Sequence, residues 1–325
     1  MGKFLRILKV VHFFIIAALL GTLLNGYIKP AAFPLLNLLS LAFPVLMLLN
    51  MLLIIFWVLV KKKTALIFIV CSFFLIHPAR RWLNFSGKSK ETPNLRIVTA
   101  NIHSGLEGNA KIYSQLRKYS ADIIVVQEYH SEFNVPTYEN RTKDYEITAL
   151  NSKYKIVQQG KLVKTGNGNA FYADLNINGK IIRIVNVYLS PFSFNKDEMR
   201  PTKEVAENPE KIKYVLKQLI PVFKIHQQEV SEIRAAIDNS PYPVILAGDF
   251  NAVPNSYEYY HLGKDLKDVF MEKGNGISTS FHDYKFPIRI DYVFCSRDIN
   301  PVSYKVDRSV KISDHFPVIA EFKID

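Results

Sequence analysis

Long apolar runs open the chain, and strand-length runs replace them after residue 94. Residues 10–24 (VVHFFIIAALLGTLL) follow Lys3, Arg6 and Lys9, and no small-x-small cleavage pattern follows, so they read as a helix rather than a signal peptide. Residues 31–60 then give thirty positions without a charge, beyond the roughly 20 that a membrane-spanning helix requires. Pro44 inside this run predicts a kink, which neighbouring helices accommodate. Lys61–Lys63 end the run, and residues 64–76 (TALIFIVCSFFLI) are apolar for thirteen positions before His77-Pro78. The pattern predicts a membrane region over 1–83 with about three transmembrane helices, near 7–27, 33–60 and 64–77. His12, Asn37 and Asn50 inside these runs read as packing or helix-contact groups rather than a transport path.

Residues 84–94 (NFSGKSKETPN) have the polar, Gly/Ser/Pro character of a linker. From Leu95 onward, strands and helices alternate. Leu95–Ala100 and Ile123–Gln127 read as strands with a helix over Asn109–Tyr119 between them. Residues 170–176 and 180–189 alternate around Asn178-Gly179, a strong hairpin signal. Lys211–Asp238 carries apolar residues at helical spacing from Ile212 to Ile237, with Pro221 as a predicted kink or break, and that stripe reads as core packing. Pro243-Val-Ile-Leu-Ala-Gly-Asp-Phe-Asn251 reads as a short buried strand, and Ile288–Phe294 and Phe316–Phe322 complete the set. Hairpins mixed with crossovers predict an α/β domain over 95–325, sheets covered by helices.

Charge sharpens the division. The chain has 41 Lys and Arg against 29 Asp and Glu, and eleven of the basic residues with none of the acidic ones fall within 1–90. The rest of the chain is therefore almost neutral, so the basic excess belongs to membrane-flanking segments and gives no surplus for sequence-blind DNA binding. Lys3–Lys9 and Lys61–Lys63 favour the cytoplasmic side, and three spans then put residues 91–325 on the non-cytoplasmic face, in a bacterium at the inner membrane. A third run lying only in the interface would reverse that, and Arg80 and Arg81 weigh the same way. The two cysteines, Cys71 and Cys295, fall one to each region and predict neither an internal disulfide nor a thiol metal site.

Candidate chemistry sits at the ends of the predicted strands. Asn101 follows the first, Glu128 the second, Asp249 and Asn251 close the strand from Pro243, and Asp314-His315 precede the last. Asp291 lies inside Arg289-Ile-Asp-Tyr-Val-Phe. Gly, Asp and Asn also close ordinary turns. A carboxylate flush against so apolar a strand, however, must be paired or bind a cation. Hard oxygen ligands without thiols point to Mg²⁺, with Mn²⁺ or Ca²⁺ also admitted, rather than zinc.

The ordered set Asn101, Gln127-Glu128, Asn186-Val-Tyr188-Leu, Gly248-Asp-Phe-Asn251, Arg289-Ile-Asp291-Tyr and Ser313-Asp-His315 resembles the endonuclease/exonuclease/phosphatase superfamily. The resemblance implies a four-layered α/β sandwich, two packed β-sheets flanked by helices, and Mg²⁺-dependent cleavage of a phosphate ester. Carried over by position, it implies metal ligation by Glu128, with Asn101 beside it and Asp314 in support. It implies that Asp249 orients or deprotonates the attacking water, that Asn251 holds water or a phosphate oxygen, and that His315, oriented by Asp291, contacts the scissile phosphate. Many members carry His where this chain has Tyr188, and the apurinic-endonuclease branch is similar to this chain in having Tyr there. A phenol donates a hydrogen bond to phosphate but shuttles protons poorly near neutrality.

The expectation is thus a membrane-anchored, divalent-metal-dependent phosphoesterase acting on a phosphodiester or phosphomonoester. Its partners would be the lipid bilayer and a phospholipid headgroup, nucleotide or nucleic acid. Alternatives are a DNA or RNA nuclease of the same fold and an inactive membrane-tethered binding protein. Of the histidines outside this set, His103 reads as structural, and His130, His226, His261 and His282 show no ligand spacing. Lys196 and Arg200, in a polar stretch over 191–210, are candidates to meet an anionic substrate.

Overall fold

The computed structural model describes residues 2–87, 89–129, 135, 137–143, 145–192, 208–283 and 288–324. Helices α1 (Gly2–Gly21), α2 (Leu35–Val60) and α3 (Lys62–Ser72) form an antiparallel trio; α2 runs unbroken through Pro44. A 3₁₀ turn extends α1 to Gly26, and α3 continues through Phe73–Leu75 and α4 (Ile76–Arg80), so all three segments are long and apolar enough to cross a membrane.

Their polarity is inside out. Trp57 Nε1 donates to His12 Nδ1 at 3.1 Å, which leaves His12 Nε2 to donate to Asn50 Oδ1 at 2.9 Å; Asn50 Nδ2 then donates to Ser72 Oγ at 3.1 Å. These groups lie at the centre while Phe14, Leu52, Leu66 and Phe73 face outward, the arrangement that suits hydrocarbon and not water. Asn37 departs from the sequence expectation, because its partners lie outside the helix trio, on Tyr257 and Glu258 of α7 (Tyr257–Leu262).

The segment read as a linker begins as structure. Strand β1 (Leu83–Phe85) pairs with β11 (Asn275–Ile277), and the Asn84 amide donates to the carbonyls of Phe270 and Met271 in α8 (Val269–Lys273).

Two six-stranded mixed sheets stack beyond it. One runs β13 (Asn300–Val306), β14 (Val318–Lys323), β2 (Leu95–Asn101), β3 (Ile123–Gln127), β5 (Thr148–Ser152), β4 (Asn140–Arg141). The other runs β10 (Lys267–Asp268), β12 (Asp291–Cys295), β9 (Val244–Asp249), β8 (Lys180–Tyr188), β7 (Asn169–Ile177), β6 (Ile156–Lys161). Alternation assigns the faces: Ile97, Ile123 and Val125 meet Phe171, Ile184, Ile245 and Val293 between the sheets. On the outer faces, Val98, Ile124 and Val126 pack against Ile112 and Leu116 of α5 (Asn109–Arg117). Val185, Val187 and Leu246 pack against Val230, Ile233 and Ile237 of α6 (Asn208–Asp238). Strands buried on both faces are why their sequences read as continuous apolar runs. This is the four-layered sandwich.

Asn178 and Gly179 turn the β7–β8 hairpin with φ of 53° and 92°, the positive pair that its right-handed twist requires. Pro221 does not break the long helix; α6 is continuous across it. The expected strands at 288 and 316 begin later, at Asp291 and Val318, because both preceding stretches serve as loops of the cleft.

Candidate active site

Parallel pairing of β2 with β3 and of β8 with β9 brings four strand C-terminal ends to the same edge of the two sheets. Asn101 lies opposite Gln127 in one sheet. In the other, Asp249 lies opposite Tyr188 on one side and Asp291 on the opposite side. The sheets are tied beneath this edge by a buried amide bridge. Gln127 Nε2 donates to Asn186 Oδ1 at 2.6 Å, and Asn186 Nδ2 donates to the Val126 carbonyl at 3.0 Å.

All eight residues singled out in the sequence converge there. Asn101 Nδ2 donates to Glu128 Oε1 at 2.9 Å and to Asp249 Oδ2 at 3.0 Å, and the Tyr188 hydroxyl donates to Glu128 Oε1 at 3.0 Å. Asn251 uses its backbone N–H to hold Asp249 Oδ1 at 2.8 Å and its amide to hold the Leu189 carbonyl at 2.9 Å. His315 Nδ1 meets Asp291 Oδ2 at 2.8 Å, while its Nε2 lies 3.8 Å from Asp249 Oδ2. Three cleft residues, His103, Glu128 and Asn251, hold φ of 45°, 51° and 45°. Such left-handed conformations cost non-glycine residues free energy and persist where the surroundings enforce them.

The electrostatics follow from burial. Desolvation raises the Asp249 carboxyl, the His315 charge pulls it back and Asp291 pushes it up again, leaving it at about 7. Desolvation alone would lower His315, but the Asp291 and Asp249 carboxylates outweigh it and raise the imidazole to about 10. The neighbouring carboxylates thus favour the imidazolium form, with Nδ1–H held by Asp291 and Nε2 facing Asp249. Burial and then the Glu128 and Asp249 charges drive the Tyr188 phenol far upward, so it stays a hydrogen-bond donor.

A cavity of about 500 Å³ opens from this edge, lined at its polar end by Glu128, Asn251, Asp314, His315 and His103. The sequence favours a structural role for His103 over a place lining the cleft, yet its Nδ1 lies 3.4 Å from Asp314 Oδ1 and it lines the cavity. Only its position two residues after Asn101 hints at this. His282 also serves the site: Nε2 bonds the Ser313 carbonyl at 3.1 Å and the ring tilts over Phe316, bracing the Asp314-His315 loop. His226 is fully buried against Glu258, and the His261 ring lies against Tyr257. His130, Lys196 and Arg200 lie outside the described residues.

Four carboxylates, Glu128, Asp249, Asp291 and Asp314, thus gather with His315 at one edge. Among the described residues that line the cavity there is no Lys or Arg. Such an edge has a surplus of negative charge and oxygen donors, which fits a hard divalent cation.

The Endonuclease/Exonuclease/phosphatase family model matches residues 98–315. A second family model, described as a domain of unknown function, matches residues 5–82. No curated protein matches the chain. Among solved structures, a variant of the 3′ phosphatase NExo from Neisseria, bound to a product DNA hairpin, is 17% identical with a TM-score of 0.52; the match covers 71% of this chain and 100% of that one. D. rerio TDP2, complexed with single-strand DNA product, is 17% identical with a TM-score of 0.50, over 71% and 99% of the two chains. The mannosyl-6-phosphatase Bt3783 of Bacteroides thetaiotaomicron is 16% identical with a TM-score of 0.50, over 71% and 100%. At such identities these likenesses speak for the fold alone.

Proposed function

The chain belongs to the Endonuclease/Exonuclease/phosphatase family, and from that premise we propose that it is a membrane-anchored, divalent-metal-dependent phosphoesterase. The observation that carries this reading is the convergence of four carboxylates and His315, paired with Asp291, at one edge of both sheets, in a cavity whose described lining holds no Lys or Arg. A phosphate entering among four carboxylates meets their repulsion, and a divalent cation held by them would offset it.

Glu128 and Asp314, with Asn101 beside them, would hold the cation, for which Mg²⁺ is the natural choice among oxygen-ligated ions. When bound, such an ion neutralises phosphoryl charge and polarises a phosphoryl oxygen. Asp249, Asp291 and His315 could also offer three ligand atoms within 4.8 Å of one another. We assign that trio to proton handling instead, because the Asp291–His315 bond already consumes two of its members. Asp249 accepts the proton of the attacking water, and Asn251 holds Asp249 in place. His315 donates its Nε2–H toward the phosphate, with Asp291 fixing the ring. Tyr188 orients Glu128 through its hydroxyl.

The bilayer side of the reading rests on the inverted polarity of the three apolar helices. The antiparallel trio puts Lys3, Arg6, Lys9 and Lys61–Lys63 at the end remote from the sheets, so the positive end faces the cytoplasm and the catalytic domain lies outside. Arg80 and Arg81, which in the sequence weigh against that orientation, are engaged by the domain: Arg81 donates to Asn255 Oδ1 at 2.8 Å and Arg80 to the Met271 carbonyl at 3.1 Å.

Hydrolysis by the full chain, with Mg²⁺ or EDTA, of p-nitrophenyl phosphate, bis-p-nitrophenyl phosphate and plasmid DNA tests the proposal. Wild type should turn over one of these only with metal, and Glu128→Ala and His315→Ala should each lose at least about a hundredfold. Metal-independent turnover, or activity untouched by either change, would sink it. Preference for plasmid DNA would favour the nuclease reading that Tyr188 supports.

A further inference from the structure

The cavity does not end at the catalytic edge. Away from Glu128 and His315 its wall becomes apolar, built from Phe192, Val215, Leu219, Phe223 and Ile290, and it finishes against Asn37 and Leu41 of α2. The N-terminal half of the α6 stripe, read from sequence as closed core, therefore faces this space, while Val230, Ile233 and Ile237 pack on the sheet. Leu41 lies six residues into α2, about 9 Å along an axis apolar enough to cross a bilayer.

The polar groups at that far end are already satisfied. Asn37 Nδ2 donates to both Glu258 oxygens at 3.0 and 3.1 Å, its Oδ1 accepts the Tyr257 N–H at 2.8 Å, and Ser256 Oγ accepts the Tyr259 N–H at 3.2 Å. Among the described residues lining that end, no unpaired donor or charge would recognise a base, a sugar or a charged headgroup. What remains is an apolar channel with a phosphate-handling edge at one end and a membrane helix at the other.

We propose that this channel is a tail site: the substrate is a lipid phosphate ester whose phosphate sits at Glu128, Asp314 and His315 and whose hydrocarbon lies along α6 toward Leu41. The inference rests on the phosphoesterase reading for its head and on the cavity wall for its tail. Long apolar tails gain from burial there, whereas short esters meet only the polar end.

Two measurements on the full chain in phosphatidylcholine nanodiscs test it. In the first, hydrolysis of hexadecyl p-nitrophenyl phosphate is compared with that of ethyl p-nitrophenyl phosphate. Wild type should favour the long ester at least about tenfold, the worth of one or two buried methylenes, and Val215→Gln and the cavity-filling Leu219→Trp should collapse that ratio. An unchanged ratio in well-folded variants would mean that the preference is partitioning into the bilayer, and the tail site would be refuted. In the second, hexadecylphosphonate bearing a terminal diazirine, whose C–P bond is not hydrolysed, is photolabelled with Mg²⁺ present. Adducts on Val215, Leu219 or Leu41 support the site even if no ester is hydrolysed, in which case the phosphoesterase reading alone fails. Adducts confined to the outward Phe14, Leu52 and Leu66 overturn it.

Discussion

Gly248 shows how closely the backbone must approach for the cleft to exist. Its φ is 140°, and a Cβ added there would lie 2.0 Å from the Val187 carbonyl oxygen of the neighbouring parallel strand. No side-chain rotation relieves a clash with backbone. Gly248→Ala should therefore cost at least about 2 kcal/mol in a denaturant titration and misplace Asp249, one residue on. From sequence, Gly248 reads only as freedom to turn; the structure shows that what it supplies is room. The same distinction applies to Glu128. Its place after Ile123–Gln127 marks it as a ligand candidate, but the left-handed backbone that aims it between Asn101 and Tyr188 has no signal in the residue type.

At the scale of elements, α6 does two jobs along one face. Its C-terminal half closes the outer layer, and at its middle His226 joins three parts of the fold. His226 Nδ1 meets Glu258 Oε1 at 2.9 Å and Nε2 meets the Ser190 carbonyl at 2.7 Å, two residues beyond Tyr188. Burial alone would lower this histidine, but the Glu258 bond and charge, with Glu229 nearby, raise it above its ordinary value. A raised folded-state value means that the imidazolium adds stability below the unfolded value of about 6.5, and that this is lost as pH rises through the folded value. The melting temperature of His226→Gln should thus fall furthest below wild type at about pH 6 and approach it as pH increases. An equal deficit at every pH would show that only packing was lost.

The strands are legible in the sequence because alternation and continuous apolar runs follow directly from burial on one face or two. The candidate active edge is legible because acidic residues flush with such runs have few other uses. The double role of α6 is not, since Val215, Leu219 and Phe223 carry the same helical spacing whether they meet a sheet or a cavity. Nor is the partner of Asn37, because a lone amide in an apolar helix gives no sign of whether its acceptor lies in a neighbouring helix or 221 positions further along the chain.

For the whole molecule, orientation is the open consequence of the antiparallel trio. With Cys71 and Cys295 replaced, a single cysteine at Lys62 should resist an impermeant maleimide in intact cells, while one at exposed Lys264 should react; the opposite pattern would place the domain in the cytoplasm. The two halves of the chain also meet as one body. Asn25 and Ser40 both donate to the Asn255 carbonyl, at 2.9 and 2.8 Å, Arg81 reaches its side chain, and Glu258 closes the contact with Asn37. A domain on a slack tether sweeps a volume and samples any height above its anchor. This one is bolted down, so in a bilayer the elevation of its candidate active edge would follow how deeply the three helices sit. On the membrane-anchored reading proposed above, bilayer thickness would then control turnover: in a thinner or thicker membrane the helices would tilt or the lipid deform, and the edge would rise or sink relative to the lipid phosphates.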